Sequence, residues 1–171
     1  LYGKTPSKQA RLDWTEFNRR SLGRFARCFR EAADAVHPAC RLGAQATSSY
    51  ACYNGKDFRP ILESLSGPGR QAVGIRPSEG FYCDRDMRQV FRKGLYVMNE
   101  ATRCRDYGFV GQVCYEAENW PHQSALKNPT AQMVECSLAL AVGCDSLALY
   151  WGADANRETD ENSAYYLDVF A

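Results

Sequence analysis

The absences in the sequence narrow it first. No apolar run is longer than the one from Leu138 to Val142, whereas a bilayer-crossing helix needs about eighteen or more apolar residues; no spanning segment is expected. There are only two histidines, His37 and His122, and no Gly-x-Ser-x-Gly elbow accompanies them, so a histidine-based nucleophilic triad has little support. Gly-x-Gly-x-x-Gly and Gly-x-x-x-x-Gly-Lys loops are missing as well, which disfavours nucleotide cofactors. The cysteines form no Cys-x-x-Cys pair, and no histidine sits near them at zinc-ligand spacing, which disfavours structural zinc. Blocks of one charge are also lacking. The 21 basic and 20 acidic residues are mixed and leave a formal charge of +1, so nucleic acid is not an expected partner. The densest basic stretch, Arg11 to Arg30, includes Asp13 and Glu16 and alternates with Phe17, Leu22, Phe25 and Phe29, as a solvated helix face does.

What is present suits a soluble globular protein. The 171 residues are 45% apolar and 24% charged, enough for one ordinary hydrophobic core. Of the eight cysteines, Cys28 and Cys136 fall on apolar helix stripes and Cys114 lies inside an apolar strand, so they read as small core hydrophobes, with reduced thiols favoured over the disulfides that the count would also suit in a secreted protein. Reduced thiols favour the cytoplasm slightly over secretion. The visible sequence opens Leu1-Tyr2-Gly3 without a charged region followed by an apolar one; any signal peptide would precede it, and the compartment stays unknown.

Along the chain, Trp14, Phe17, Leu22, Phe25, Phe29, Ala32 or Ala33, and Val36 recur at helical spacing, predicting an amphipathic helix over Asp13 to Val36 with that stripe buried. His37-Pro38 ends it. A short strand follows within Ala39 to Thr47, then a loop from Ser48 to Asp57, a helix from Phe58 to Leu65, and the breaker group Ser66-Gly67-Pro68-Gly69. Gln71 to Ile75 is a second strand, ended by the turn-forming run Arg76 to Gly80. A helix capped by Asp84 has the stripe Met87, Val90 or Phe91, Leu95, Met98, and Ala101 or Thr102. Phe109 to Tyr115 is the third strand. Asn128 caps a helix with Pro129 in its first turn and with Met133, Cys136 and Leu140 on one face, stopping at Gly143. Asp145 to Trp151 is the fourth strand.

Short apolar strands alternating with helices predict an α/β fold with right-handed crossovers and a parallel sheet covered on both faces. Open doubly wound sheets and barrels share that pattern. The predicted strand ends carry Gln45 and Thr47, Arg76 and Glu79, Glu116 and Glu118, and Trp151; barrel active sites collect polar and aromatic groups at such ends. Four strands do not close an eight-stranded barrel, so the remainder would come from further sequence or from a second copy.

Glu116 directly follows the apolar strand and Glu118 lies two residues on. Strand geometry would point both to one side, and a turn would separate them. Two such carboxylates can divide acid and base work, although Glu-x-Glu is also a common surface pair. Trp120 beside Asn119 suits the apolar face and hydroxyl edge of a sugar, or packs as a lid. Trp151 serves equally as a substrate platform or a packed barrel-mouth residue. Glu79 is read first as the counter-charge of Arg76 and second as a substrate contact. His37 suits a helix end, and His122 lies in the loop beside the glutamates.

Tyr115-Glu116-Ala117-Glu118-Asn119-Trp120, followed by Leu126-Lys127-Asn128-Pro129, Ala139 to Cys144 and Asp145 to Trp151, resembles the end of the catalytic barrel in glycoside hydrolases of the β-galactosidase type related to family 42. The resemblance implies a partial (β/α)8 TIM barrel, from the helix after strand four through strand eight, with residues 1–171 as the C-terminal half of the catalytic domain. It assigns Glu116 as nucleophile at the end of strand seven, Asn119 and Trp120 as the loop pair, and Trp151 as the aromatic residue ending strand eight. Cys144 stands where the family usually has Ala, and Gly152-Ala153 where it tends to have a basic residue.

The function implied is retaining hydrolysis of a glycosidic bond in a longer parent protein. Glu116 would be catalytic, Glu118, Asn119, Trp120, Trp151 and Glu79 would contact the carbohydrate, and the N-terminal half of the barrel would supply the acid/base Glu. The 171-residue chain by itself would then be inactive; a homo-oligomer is allowed. Two alternatives stay open: a non-catalytic carbohydrate-binding or structural barrel, and a doubly wound α/β domain binding a small polar molecule.

Overall fold

A computed structural model of the protein describes residues 5–47, 54–82, 85, 87–118 and 127–150. Helices and strands alternate through it: α1 (Lys8–Val36), β1 (Gly43–Thr47), α2 (Phe58–Ser66), β2 (Val73–Ser78), α3 (Arg88–Arg105), β3 (Val110–Glu118), α4 (Pro129–Ala141) and β4 (Ser146–Tyr150). The strands form one four-stranded parallel sheet in the order β1-β2-β3-β4, so the fold is α/β. By contacts the chain divides into two compact units. One comprises residues 1–75 and 103–112, the other 76–102 and 113–171.

In the first unit, Ser7 caps α1 by accepting from the Ala10 N–H at 3.1 Å, and the His37 N–H closes it on the Ala33 carbonyl at 2.7 Å. Asp57 caps α2, whose Phe58, Leu62 and Leu65 are buried. Fully burying side chains of this size contributes about 1.5–3 kcal/mol each. The face that α1 buries consists of Gly23, Ala26 and Arg30, one helical turn apart, with Gly23 close to Pro60 and Ser64 of α2. The expected stripe is on the other side. Trp14, Phe25 and Val36 are 60%, 63% and 88% exposed, and Phe17, Leu22 and Phe29 also face outward. Small residues let two helix backbones approach, and the bulky aromatic side is left to pair with itself: Trp14 stacks on Phe17 and Phe25 meets Phe29 edge-on. Cys28, expected in the core, is exposed for the same reason.

In the second unit, α3 turns Val90, Lys93, Gly94, Val97 and Ala101 inward. Phe91, Leu95 and Met98, expected on its buried stripe, face outward. A Cβ on Gly94 would lie 2.5 Å from Leu138 Cδ2, so the bare glycine sets how closely α3 and α4 pack. On α4, Met133 and Leu140 are exposed and Cys136 half-buried, while Ala131, Gln132, Glu135 and Ala139 are buried. Asn128 caps α4 as expected, its Oδ1 accepting from the Ala131 N–H at 2.8 Å. Asp84, the cap expected for α3, lies outside the described residues. Tyr96, Val97, Tyr115, Ala117 and Ala139 form one core cluster; Phe81, Val90 and Ala131 form a second.

Two strands outrun their sequence boundaries. β2 continues past Ile75 through Arg76 and Pro77 to Ser78, and β3 past Tyr115 to Glu118. The β3 extension follows from its ladder with β4, where Glu116 pairs with Ala148, Ala117 with Leu149 and Glu118 with Tyr150. Asp145 sets that register, its Oδ2 accepting from the Val113 N–H at 2.6 Å and its own N–H donating to the Val113 carbonyl at 2.8 Å. No helix among the described residues is long and apolar enough to cross a membrane.

Candidate functional site

The carboxylates of interest belong to β3. Successive strand residues face opposite sides, and Tyr115 and Ala117 enter the core with α3 and α4. Glu116 and Glu118 therefore share the other side, because the strand runs through both. Glu118 is the last strand residue, so strand geometry and not a turn relates it to Glu116.

Glu116 is 5% exposed. Its Oε1 lies 2.9 Å from Arg76 Nη2 of β2. Extension of β2 beyond Ile75 brings this about, since Arg76 becomes a strand residue instead of the start of a turn. The expected pairing of Arg76 with Glu79 is corrected accordingly: Glu79, just after the strand, has Arg92 of α3 as its partner at 2.9 Å. Burying a carboxylate is costly unless a partner compensates it, and Arg76 does so for Glu116 while fixing the carboxyl orientation.

Tyr82 joins this group. Burial pushes its hydroxyl above its ordinary pKa, with further rises from the charges of Glu118 and Glu116 and a hydrogen bond with Glu118. Its ring passes over Gly80, where a Cβ would come within 2.4 Å of Tyr82 Cε2.

Behind the strand end lies a buried set of charges that the sequence reading did not single out. Lys93, Lys127 and Glu135 are each 0% exposed. Lys93 Nζ donates to the Glu116 backbone carbonyl and, at 2.8 Å, to Glu135 Oε1. Lys127 Nζ binds the other oxygen, Glu135 Oε2. Tyr115 Oη lies 3.4 Å from Oε1, and the two ammonium groups sit over aromatic rings, Lys93 over Tyr115 at 4.8 Å and Lys127 over Phe81 at 4.7 Å. Burial pulls the Lys127 ammonium below its ordinary pKa, opposed first by Glu135 and more weakly by Glu118. Tyr115 is pushed up by burial and then by Glu135. One signal was available: Lys93 falls at helical spacing from Val90 and Val97, a charge on what proves to be the buried stripe.

Of the six residues proposed for the site, the structure brings Glu116 and Glu118 onto one strand face and assigns Glu79 to Arg92. Asn119, Trp120 and Trp151 lie outside the described residues, as does His122. Among the described residues no three His, Cys, Asp or Glu side chains converge as a metal site. The group has a carboxylate held by a guanidinium, a second carboxylate two residues on, and a phenol against them; it can present a nucleophilic oxygen and hydrogen-bond a polyhydroxylated ligand. Comparison with known proteins finds no match for the chain among family models, curated proteins or solved structures.

Proposed function

We propose that the chain is the nucleophile-bearing half of a (β/α)8-barrel retaining glycoside hydrolase. The observation that carries this reading is Glu116 and Glu118 on one face at the C-terminal end of a parallel strand, with Arg76 from the neighbouring strand bound to Glu116. Barrel enzymes gather their chemistry at such strand ends. The strands follow chain order without reversal, which favours a barrel arc over a doubly wound sheet, where the order reverses at the ligand crevice. The outward aromatic side of α1 suits a helix whose covering partner lies in the rest of a barrel.

In this mechanism the Glu116 carboxylate attacks the anomeric carbon and forms a glycosyl ester. The bond to the leaving oxygen breaks as that oxygen takes a proton from an acid in the N-terminal half. Water, deprotonated by the same group, then cleaves the ester and restores Glu116. The two carboxyl groups stand about 5–5.5 Å apart in enzymes of this kind. Arg76 orients the nucleophile, Glu118 and Tyr82 face sugar hydroxyls, and Asn119, Trp120 and Trp151 complete the carbohydrate contacts.

The test is Glu116→Gln and Glu118→Gln in the parent protein, assayed on nitrophenyl glycosides, with circular dichroism for the fold. Glu116→Gln is expected to lower kcat by roughly a thousandfold or more, since the amide keeps the shape but forms no ester. Glu118→Gln is expected to keep measurable turnover. A 2-deoxy-2-fluoro glycoside should label Glu116 in the wild type; a label on Glu118 would reverse the assignment. Turnover unaffected by either change rules out the strand-end chemistry, and tight sugar binding without turnover in the wild type would favour the non-catalytic carbohydrate-binding barrel.

A further inference from the structure

A buried carboxylate shared by two buried ammonium groups is an expensive way to fill a core. Removing three charged side chains from water carries a large desolvation penalty for each, and apolar residues of similar volume often serve stability as well or better. Here the cluster lies where β3 ends and α4 begins. Lys93 comes from α3, Lys127 precedes α4 by two residues, and Glu135 stands on α4 itself. The cluster binds the backbone carbonyl of Glu116 through Lys93 Nζ. The cluster therefore grips the residue whose carboxylate faces Arg76 on the other side of the strand.

We propose that Glu135 is a positioning residue for the strand-end carboxylates: by clamping Lys93 and Lys127 it fixes the backbone at Glu116 relative to α3 and α4. The two lysines and Glu135 sum to one positive charge. Glu118 answers part of it, since its charge favours the ammonium form of Lys127. The cluster acts on Glu116 through its carbonyl. Without the Glu135 charge the two ammonium groups would repel each other, and Lys93 would lose the acceptor that aims it at the carbonyl. Positioning groups of this sort act through geometry, and a displacement of an ångström at a reacting centre can cost about a hundredfold.

The inference rests on the glycosidase reading only for its activity arm. In the parent protein, Glu135→Gln and Lys93→Met are each expected to lower kcat about tenfold to a hundredfold with KM changed less than about twofold, as loss of an orienting partner does. Combining them should cost little more than either alone, because both break the same link. The second arm needs no substrate: amide hydrogen exchange at Glu116, Ala117 and Glu118 should quicken about tenfold or more in Glu135→Gln, beyond the change seen in the rest of the sheet. Should the single variants not fold, Lys93→Met with Glu135→Met and Lys127→Met leaves no unpaired charge, and it is expected to fold with fast exchange at Glu116–Glu118 and low kcat. Wild-type exchange at those amides in any folded variant overturns the proposal, as does wild-type kcat in an active parent. A wild-type parent inactive on every glycoside refutes the glycosidase reading, and the exchange arm alone then decides this one.

Discussion

The two units bury charge in different ways. In the first, Arg30 is 2% exposed on the packed face of α1, and its Nη1 donates to the Cys40 carbonyl at 2.9 Å and to Gln71 Oε1 at 3.0 Å. Its counter-charge, Asp34, sits at the half-open rim, 2.5 Å from Nη2. One cation held mainly by neutral oxygens fastens the helix to the segments leading into β1 and β2. In the second unit, Glu135 is held by two cations with no water-exposed rim. Anchoring a helix takes a single charge, as Arg30 illustrates; three at the root of a carboxylate-bearing strand answer a different demand.

Stability measurements should separate the two most sharply. Glu135→Gln is expected to cost about 3–5 kcal/mol near neutral pH, because two buried ammonium groups lose their counter-charge. Part should return as the pH rises toward the unfolded lysine value of about 10.4: the folded Lys127 is already depressed by burial and falls further without Glu135, so the folded state sheds its proton first. The other groups facing Glu135 are Lys93 and the phenol of Tyr115. Arg30→Met is expected to cost less, about 1–3 kcal/mol for unsatisfied acceptors, with no recovery at high pH because arginine does not deprotonate. Denaturant melts at pH 7 and pH 10 check both, and parallel pH responses would erase the distinction.

A smaller effect is expected on the outer side of α1. Phe25→Ser with Phe29→Ser should change the stability of the 171-residue chain by no more than about 0.5 kcal/mol, the usual range for exposed positions. A loss of several kcal/mol in urea unfolding would mean that this side is covered in solution. The smallest effect concerns Glu16. Hydrogen bonds from Arg19, then Arg20, hold its carboxyl down to about 2 from the ordinary 4.5. A depressed acid contributes stability above its unfolded pKa and loses it as pH falls from about 4.5 to 2. Thermal melts across that window should show a slight loss in the wild type that is missing in Glu16→Gln; the pair is well exposed, so the difference is minor.

The order of helices and strands was readable because short apolar runs bounded by turn-forming residues differ from longer runs with period 3.6, and because caps such as Asn128-Pro129 carry their own chemistry. The third strand was readable up to Tyr115 for the same reason, but its reach through Glu116 to Glu118 was not. The packed faces were not. α1, α3 and α4 each have apolar residues on two sides, and contact with a partner chooses between them: Gly23 and Ala26 prevail over Trp14 and Phe25 because they allow close approach. Lys93 and Glu135 look like surface residues until their opposite charges are seen to meet across 42 positions of chain. The reach of β2 through Pro77 was hidden likewise, and with it the partnership of Arg76 and Glu116.

The two units are interleaved along the chain, and this sets a schedule for synthesis. The Val73 N–H donates to the Phe109 carbonyl at 3.0 Å, within the first unit. That bond waits until residue 109 has left the ribosome, by which time all of α3 has been made. Neither unit finishes before the other has begun. Residues 1–75 emerge with β2 lacking its later neighbour, so a chain stalled there presents an unpaired strand border, the kind of surface on which nascent chains aggregate.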